Sequence, residues 1–169
     1  FHKNVEFLFI TKGTQHATVG GQKIVVEEGD ILFIDFFEPH SFAKDEGVEG
    51  YILVLSLWYL DCFKKLFENQ RFSRVMNDKS KNVEIFEFVS GWKKSYRKGR
   101  YLEDAYDIYV NANNLFLMIK NAYGMVTRQK KNNESVILDI LNYLEKNYME
   151  NVTVKEVAKG GLALDKAEN

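Results

Sequence analysis

Residues 5–35, VEFLFITKGTQHATVGGQKIVVEEGDILFID, consist of short segments that favour β-structure, separated by turn residues. Four such segments follow one another, at positions 5–12, 15–19, 22–27 and 31–35. Gly20-Gly21 is a strong signal for a two-residue hairpin turn, and positions 28–30, Glu-Gly-Asp, turn the chain again. A further segment at 50–57 closes the series. Short strands at even spacing predict an antiparallel sandwich or small barrel, not alternating strand and helix units.

From Trp58 onward the apolar residues recur at helical spacing. A first stripe runs over 60–67, and a second passes through 83–96. The third, over 105–123, is continuous for about five turns and ends near Gly124, as a glycine-capped helix would. These patterns predict three amphipathic helices after the strands.

The last forty or so residues carry a different set of signals. A polar, basic stretch at 127–133 indicates a linker. Beyond it, apolar positions over 137–148 mark a fourth amphipathic helix. Thr153 with Glu156 three positions later forms a capping box, so a fifth helix should begin at Val154.

Charge and cysteine content restrict the class of protein. Lys and Arg number 23 against 24 Asp and Glu, which gives a net charge of -1 and no global field that attracts phosphate backbones. The single cysteine, Cys62, cannot form an internal disulfide, which fits a reducing cytoplasm. No apolar run reaches the roughly eighteen residues of a membrane span. We therefore expect a cytoplasmic protein with no membrane segment, and we do not expect this part of a protein to contact DNA.

Two short motifs resemble those of the cupin superfamily. His2, Glu6 and Gly13 match the first motif, in which a His is followed by a Glu and then by a Gly. Gly29 and His40 match the Gly and the His of the second motif, eleven positions apart. The resemblance implies an α+β fold in which a cupin-like antiparallel β-barrel (jelly-roll) is followed by α-helices.

The period of a β-strand places the matching residues on one face. Residues two or four apart on a strand face the same side, so His2, Glu6 and Leu8 face together. In a cupin that side is the barrel interior, and the resemblance brings His40 to it from a neighbouring strand. These four residues, with Tyr51 as an aromatic ring able to stack on a ligand, are the predicted ligand-binding set.

A divalent metal is the alternative occupant of the same site. His2, Glu6 and His40 offer imidazole and carboxylate groups, which suit zinc, iron, manganese or nickel. In the second motif Asp35 and Phe37 stand where a cupin has Pro and Gly. Cupin-like sensor domains often show such a degenerate motif, so the resemblance favours an organic effector, and no cofactor is predicted.

Residues 136–160, VILDILNYLEKNYMENVTVKEVAKG, resemble the first DNA-binding helix of AraC/XylS-family transcriptional regulators and the short helix after it. In that family a barrel, dimerising helices, a linker and a helix-turn-helix domain follow one another, and this chain offers its parts in the same order. After Ala158 the match ends, so we expect only the truncated start of the helix-turn-helix domain. The resemblance implies a regulator whose DNA contact is made by C-terminal residues missing from this chain.

The patterns divide the chain into four predicted parts. These are a cupin-like barrel over 1–57, a helical dimerisation region packed on the barrel over 58–126, a linker over 127–133, and the truncated DNA-binding domain over 134–169. The third stripe is expected both to pack on the barrel and to dimerise. The predicted dimerisation residues are Ile108, Ala112, Leu115, Phe116 and Ile119.

The predicted function is that of a non-enzymatic homodimer. A small-molecule effector, with a sugar as one candidate, binds in the barrel and controls a DNA-binding domain. Two alternatives stay open at this point. One is a metal-dependent cupin enzyme of the isomerase or dioxygenase type, and the other is a dimerisation module with an empty barrel.

Overall fold

The computed structural model describes residues 4–56, 59–60, 63–95 and 101–128, and towards the end of the chain residues 140, 143–144, 147–149 and 152–157. The chain divides into two compact units, 1–128 and 129–169, and each is described by itself. His2, Trp58 and Cys62 lie outside the described residues.

Short strands come first in the first unit, and helices follow. The elements are β1 (Asn4–Lys12), β2 (Thr14–Val19), β3 (Gln22–Glu27), β4 (Ile31–Ile34), β5 (His40–Phe42), β6 (Glu49–Ser56), α1 (Lys64–Asn69), β7 (Gln70–Arg71), β8 (Val75–Met76), α2 (Lys79–Ser95), α3 (Tyr101–Tyr123) and β9 (Val126–Thr127).

Two antiparallel sheets make the barrel. One has the strand order β6-β1-β4-β8 and the other β3-β2-β5, while β7 and β9 form a separate two-stranded pair. β1 lies between β4 and β6, so that Glu6 is opposite Ile34 on one side and Val54 on the other. The predicted α+β class, a cupin-like antiparallel barrel followed by helices, is therefore confirmed.

The β2–β3 connection is the tight hairpin that the sequence predicts. Val19 pairs with Gln22, and the two residues between them, Gly20 and Gly21, have φ angles of 57° and 80°. A two-residue turn that follows the natural twist of the strands needs positive φ at both central positions. Glycine adopts these angles without a steric penalty, so this dipeptide sets the register of the hairpin.

β1 is buried on both faces, and its alternating residues belong to two different cores. Val5, Phe7 and Phe9 face the helices, where the Phe7 ring lies 5.1 Å from that of Phe33 and 5.3 Å from that of Phe116. Leu8 and Ile10 face the second sheet. There they join five other buried side chains, those of Ala17, Val19, Val26, Leu32 and Ile34. The strand therefore separates the barrel interior from the core beneath the helices.

A polar network fixes the helices against the barrel. Asn82 of α2 is buried, and its side-chain amide donates hydrogen bonds to the carbonyls of Gly29 (2.8 Å) and Met76 (2.9 Å). The Tyr123 hydroxyl, at the end of α3, donates to Asn82 Oδ1 at 2.7 Å. α3 ends where expected, since the Gly124 amide, at φ 69°, donates to the Lys120 carbonyl.

The stripe on α3 packs on the barrel sheet. Of the five residues predicted to dimerise, Ala112, Leu115, Phe116 and Ile119 are fully buried within the chain, and Ile108 is half-buried. Side chains with no exposed surface cannot contact a second chain, so the dimerisation role assigned to these four residues is wrong. Among the α3 residues from 105 to 123, whose burial is described, the large apolar side chains that are exposed are Tyr106, Val110 and Leu117.

The region predicted as helical, 58–126, also contains short strands. β8 extends the barrel sheet by pairing with β4, and β7 pairs with β9. Thr127, predicted to begin the linker, belongs to β9, and the boundary between the two units follows residue 128. Two-residue strands are too short to produce a period, so the sequence pattern could not reveal them.

In the second unit the predicted capping box is present. The Thr153 amide donates to Glu156 Oε2 at 2.8 Å, and the Glu156 amide lies 3.3 Å from Thr153 Oγ1. Residues 154–157 are helical, as predicted from Thr153 and Glu156. Of the helix predicted over 137–148, positions 140, 143–144 and 147 are described and helical.

Across the described part of the chain, no helix is both long enough and apolar enough to cross a membrane.

Candidate functional site

Glu6 and His40 meet at one end of the barrel interior. Glu6 is the third residue of β1, in the buried part of the strand, and His40 is the first residue of β5, opposite Val19. Glu6 Oε2 and His40 Nε2 are 3.5 Å apart, with 8% and 19% of their side chains exposed. The strand period and the cupin resemblance predicted this meeting, and the structure confirms that the two side chains come together.

The contact made by His40 Nδ1 shows which ring nitrogen carries the proton when the ring is neutral. Nδ1 lies 2.9 Å from the Glu38 carbonyl oxygen, which can only accept, so Nδ1 carries a proton and donates. Nε2 is then left facing the Glu6 carboxylate, as an acceptor when the ring is neutral and as a donor when it is protonated. At 3.5 Å the two atoms are further apart than in a usual hydrogen bond, and one hydroxyl group placed beside them can contact both.

The surroundings of this pair are apolar. Leu8, predicted to line the site, is buried in the barrel interior together with Val19 and Ile34, which neighbour the pair in the sheets. A carboxylate in such a setting costs free energy unless polar groups contact it. Selection for packing alone would favour apolar residues at both positions, so the pair is a candidate binding group.

The metal alternative rests on His2, which lies outside the described residues. Among the residues that are described, no three His, Cys, Asp or Glu side chains are grouped so as to hold a metal ion. The structure thus brings together two of the three proposed ligands, Glu6 and His40.

Tyr51 lies on the other face of the sheet. It pairs with Phe9 in the β1–β6 register, so its ring points towards the helices and not into the barrel with Glu6. Its ring is covered by the ammonium group of Lys93, 4.4 Å from the ring centre. It lines a groove of about 570 Å³ along β6, whose other walls include Trp92 and Ile108. The structure therefore does not bring Tyr51 together with the other predicted ligand-binding residues.

A charged cluster next to the site was not predicted from the sequence. The loop that connects β4 to β5 carries Asp35 and Glu38. Arg74 pairs with Glu38, and Arg128 Nη2 lies 2.8 Å from Asp35 Oδ2. The sequence analysis noted Asp35 only as a departure from the cupin motif. Its partner is distant in sequence, and no periodic pattern connects the two.

Burial dominates the electrostatics of Asp35. The carboxyl group is 5% exposed, and its removal from water raises the pKa of Asp35 above the ordinary value of 3.8, although the charge of Arg128 opposes this shift. The guanidinium of Arg128 also stacks over the Phe36 ring, 4.3 Å from its centre. Asp35 and Arg128 thus form a buried ion pair in which desolvation exceeds the attraction.

Comparison with known proteins supports the fold assignment. Residues 1–56 match the Cupin_2 family, a cupin domain. The fold is similar to that of apo ToxT K231A from Vibrio cholerae strain SCE256, with a TM-score of 0.52 and 12% sequence identity over 96% of this chain. A second ToxT structure from Vibrio cholerae gives a TM-score of 0.51 at 9% identity, again over 96% of this chain.

The chain spans less than two thirds of those proteins, 63% and 64% of their lengths. No curated protein matches the sequence significantly. At these identities the similarity establishes the fold, which over residues 1–56 is that of a cupin domain.

Proposed function

We propose that this chain is the effector-sensing part of an AraC-type transcription regulator. The observation that carries the proposal is the order of parts: a cupin barrel, helices packed on it, a boundary after residue 128 and a capped helix at 154–157. The same arrangement extends over 96% of the chain in the similarity to ToxT, an AraC-family regulator, which supports the proposal.

The effector is a small polar molecule, and a sugar is the first class to test. In this proposal the Glu6 carboxylate accepts a hydrogen bond from an effector hydroxyl, and His40 Nε2 contacts the same or a neighbouring hydroxyl. The apolar side chains around the pair, such as Leu8 and Ile34, exclude water and strengthen both contacts. Binding controls DNA only if the effector prefers one arrangement of the protein over another.

DNA contact belongs to the rest of the regulator. The chain carries a net charge of -1, so it lacks the excess of positive charge that phosphate binding requires. The sequence match to a DNA-binding domain ends after Ala158, before a recognition helix. We propose that the second unit, 129–169, is the beginning of that domain, in a cytoplasmic, non-enzymatic homodimer.

The proposal is tested by titrating the purified chain with sugars and small metabolites while its melting temperature is followed. A ligand at a hundredfold excess over its Kd stabilises the folded state by about 2.7 kcal/mol, which raises the melting temperature measurably. We expect Glu6→Gln to abolish the shift and Glu49→Gln, an exposed carboxylate of β6, to retain it. A panel in which no compound shifts the melting temperature would contradict the proposal.

The Glu6–His40 pair also favours a second candidate, a metal-dependent cupin enzyme, because carboxylate and imidazole are common metal ligands. Elemental analysis of protein purified without added metal separates the two candidates. Stoichiometric metal that is lost in His40→Ala supports the enzyme. Absence of bound metal, together with a ligand-dependent melting temperature, supports the regulator.

A further inference from the structure

The loop at 35–39, which we call the effector loop, connects β4 to β5 beside the candidate site. It begins directly after β4, and it ends at Pro39, next to His40. The Glu38 carbonyl accepts the hydrogen bond that fixes the His40 ring, and the Pro39 carbonyl accepts a bond from the Gly20 amide at 2.8 Å. A ligand that displaces the His40 ring therefore breaks the bond that joins the ring to this loop.

The other end of the effector loop is bonded to the last residue of the first unit. Asp35 pairs with Arg128 at 2.8 Å, and the Phe36 ring lies under the same guanidinium. Arg128 is held in place by its own backbone, whose amide donates to the Asn69 carbonyl at 2.8 Å, directly after the β7–β9 pair. The chain continues from this residue into the second unit. One residue thus contacts the effector loop and also ends the first unit.

Three structural features lower the free energy needed to break the contact between the effector loop and Arg128. Within the described residues, three buried guanidinium nitrogens, Arg74 Nη1, Arg128 Nε and Arg128 Nη2, lack a hydrogen-bond partner. Arg128 Nη2 is close to Asp35, but the two atoms are not aligned for a hydrogen bond. Phe37 has a φ of 58°, a left-handed conformation that is strained for a bulky residue. Unsatisfied donors and backbone strain both raise the free energy of the closed arrangement, so separating Arg128 from the effector loop needs less free energy.

We propose that the Asp35–Arg128 ion pair is a latch that couples the effector end of the barrel to residues 126–128, the end of the first unit. The latch rests on the proposed function, because the ligand that opens it is the effector at Glu6 and His40. With the latch closed, the Arg128 side chain is fixed on the effector loop. With the latch open, Arg128 separates from the effector loop and the amides of residues 126–128 exchange faster.

The latch itself is tested without any ligand, by hydrogen–deuterium exchange at the amides of residues 126–128 in the whole chain. We expect Asp35→Asn and Arg128→Gln each to speed exchange there by about fivefold or more. The double variant should be no faster than the faster single variant, since both changes remove one interaction. Glu49→Gln, which breaks the exposed Lys12–Glu49 pair, is the matched control and should leave the rate unchanged.

In the same experiment, Arg128→Lys distinguishes the effect of the positive charge from that of the flat guanidinium group. It keeps the positive charge but loses the flat group that stacks on Phe36, so we expect an intermediate rate. Unchanged exchange at 126–128 in folded Asp35→Asn protein would overturn the latch. Additive effects in the double variant would overturn it as well.

Coupling to the site is tested by His40→Gln, which perturbs the effector end in place of a ligand. We expect it to speed exchange at 126–128 about threefold when Asp35 is present and to add nothing in the Asp35→Asn background. An equal effect in both backgrounds, or no effect in either, would exclude coupling through the latch. The Glu6→Gln titration decides ligand binding separately, so the failure of the latch and the failure of the proposed function are distinguishable.

Discussion

At the scale of single residues, Phe7 packs in the aromatic core between the barrel sheet and the helices. Its ring is fully buried, and it contacts the rings of Phe33, Phe72 and Phe116 at centre distances of 5.1 to 6.1 Å. Phe7→Ala removes the ring and leaves a cavity between the sheet and α3. We expect a loss of about 3–5 kcal/mol in the free energy of unfolding, measured by urea denaturation.

Val25→Ala is the control for that variant. The Val25 side chain is half-exposed on β3, so its truncation should change the free energy of unfolding by less than about 0.5 kcal/mol. A small domain has only about 5–15 kcal/mol in total, which makes the Phe7 variant marginally folded. Equal losses in the two variants would show that the aromatic cluster does not hold the helices on the barrel.

Asp35 should make the folded protein less stable as pH rises, which is the opposite of the usual effect of a carboxylate. Because burial raises its pKa above 3.8 in the folded state, the folded protein binds the proton more tightly than the unfolded chain. The stabilising contribution of this group is complete below its unfolded pKa. It is lost as pH rises through the raised pKa.

The comparison of the chain with Asp35→Asn isolates this contribution. Asp45, Asp78 and Glu156 have lowered pKa values, caused mainly by hydrogen bonds from His16, Ser80 and Thr153, and they produce the opposite slope in both proteins. As pH rises from about 3 to 7, we expect the stability of the natural chain to fall relative to that of the variant. A relative rise would mean that Arg128 outweighs burial. The measurement is urea denaturation at each pH.

At the scale of elements, the sequence predicted those features that local patterns determine. The Gly20-Gly21 hairpin, the end of α3 at Gly124 and the Thr153–Glu156 capping box depend on neighbouring residues, and all three are present. The period of two also placed Glu6 with Leu8 on the inner face of β1. Which side of α3 is covered depends on its tertiary packing instead, and this explains the error over Leu115 and its neighbours.

For the same reason, neither the pairing of Asp35 with Arg128 nor the side of the sheet on which Tyr51 lies could be predicted. The partner of Asp35 is Arg128, which only the docking of β9 against β7 brings near. Tyr51 faces the helices because of the β1–β6 register, and one residue of slip would turn it inward. Such pairings depend on the fold as a whole, so no short window of sequence contains them.

The exposed side of α3 is the surface on which we place the dimer contact. Tyr106, Val110 and Leu117 lie four and seven positions apart, which puts them on one face of the helix, and all three are exposed. Leu117→Glu places a charge on that face. We expect the variant to sediment as a monomer at concentrations where the natural chain is a dimer.

Val83→Glu on α2 is the matched control, because Val83 is exposed to a similar degree on another helix. It should leave the sedimentation behaviour unchanged. Two variants that both remain dimeric would place the contact elsewhere, and a natural chain that is monomeric at every concentration would remove the proposal of a homodimer.

At the scale of the whole molecule, the barrel sheet has two faces with separate roles. One face packs on α2 and α3 through an aromatic core, and the other encloses the barrel interior with Glu6 and His40 at its end. β1, which is buried on both faces around Glu6, holds that carboxylate in place. The effector loop contacts Arg128, the last residue of the first unit, through Asp35.

We propose the barrel interior, at its Glu6–His40 end, as the place where the effector binds. The hydrogen-exchange footprint of the compound that raises the melting temperature tests this proposal. We expect slower exchange in β1 around Glu6 and in β5 from His40 to Phe42, with no change around Lys93. Protection confined to the groove that Tyr51 and Lys93 line would contradict it.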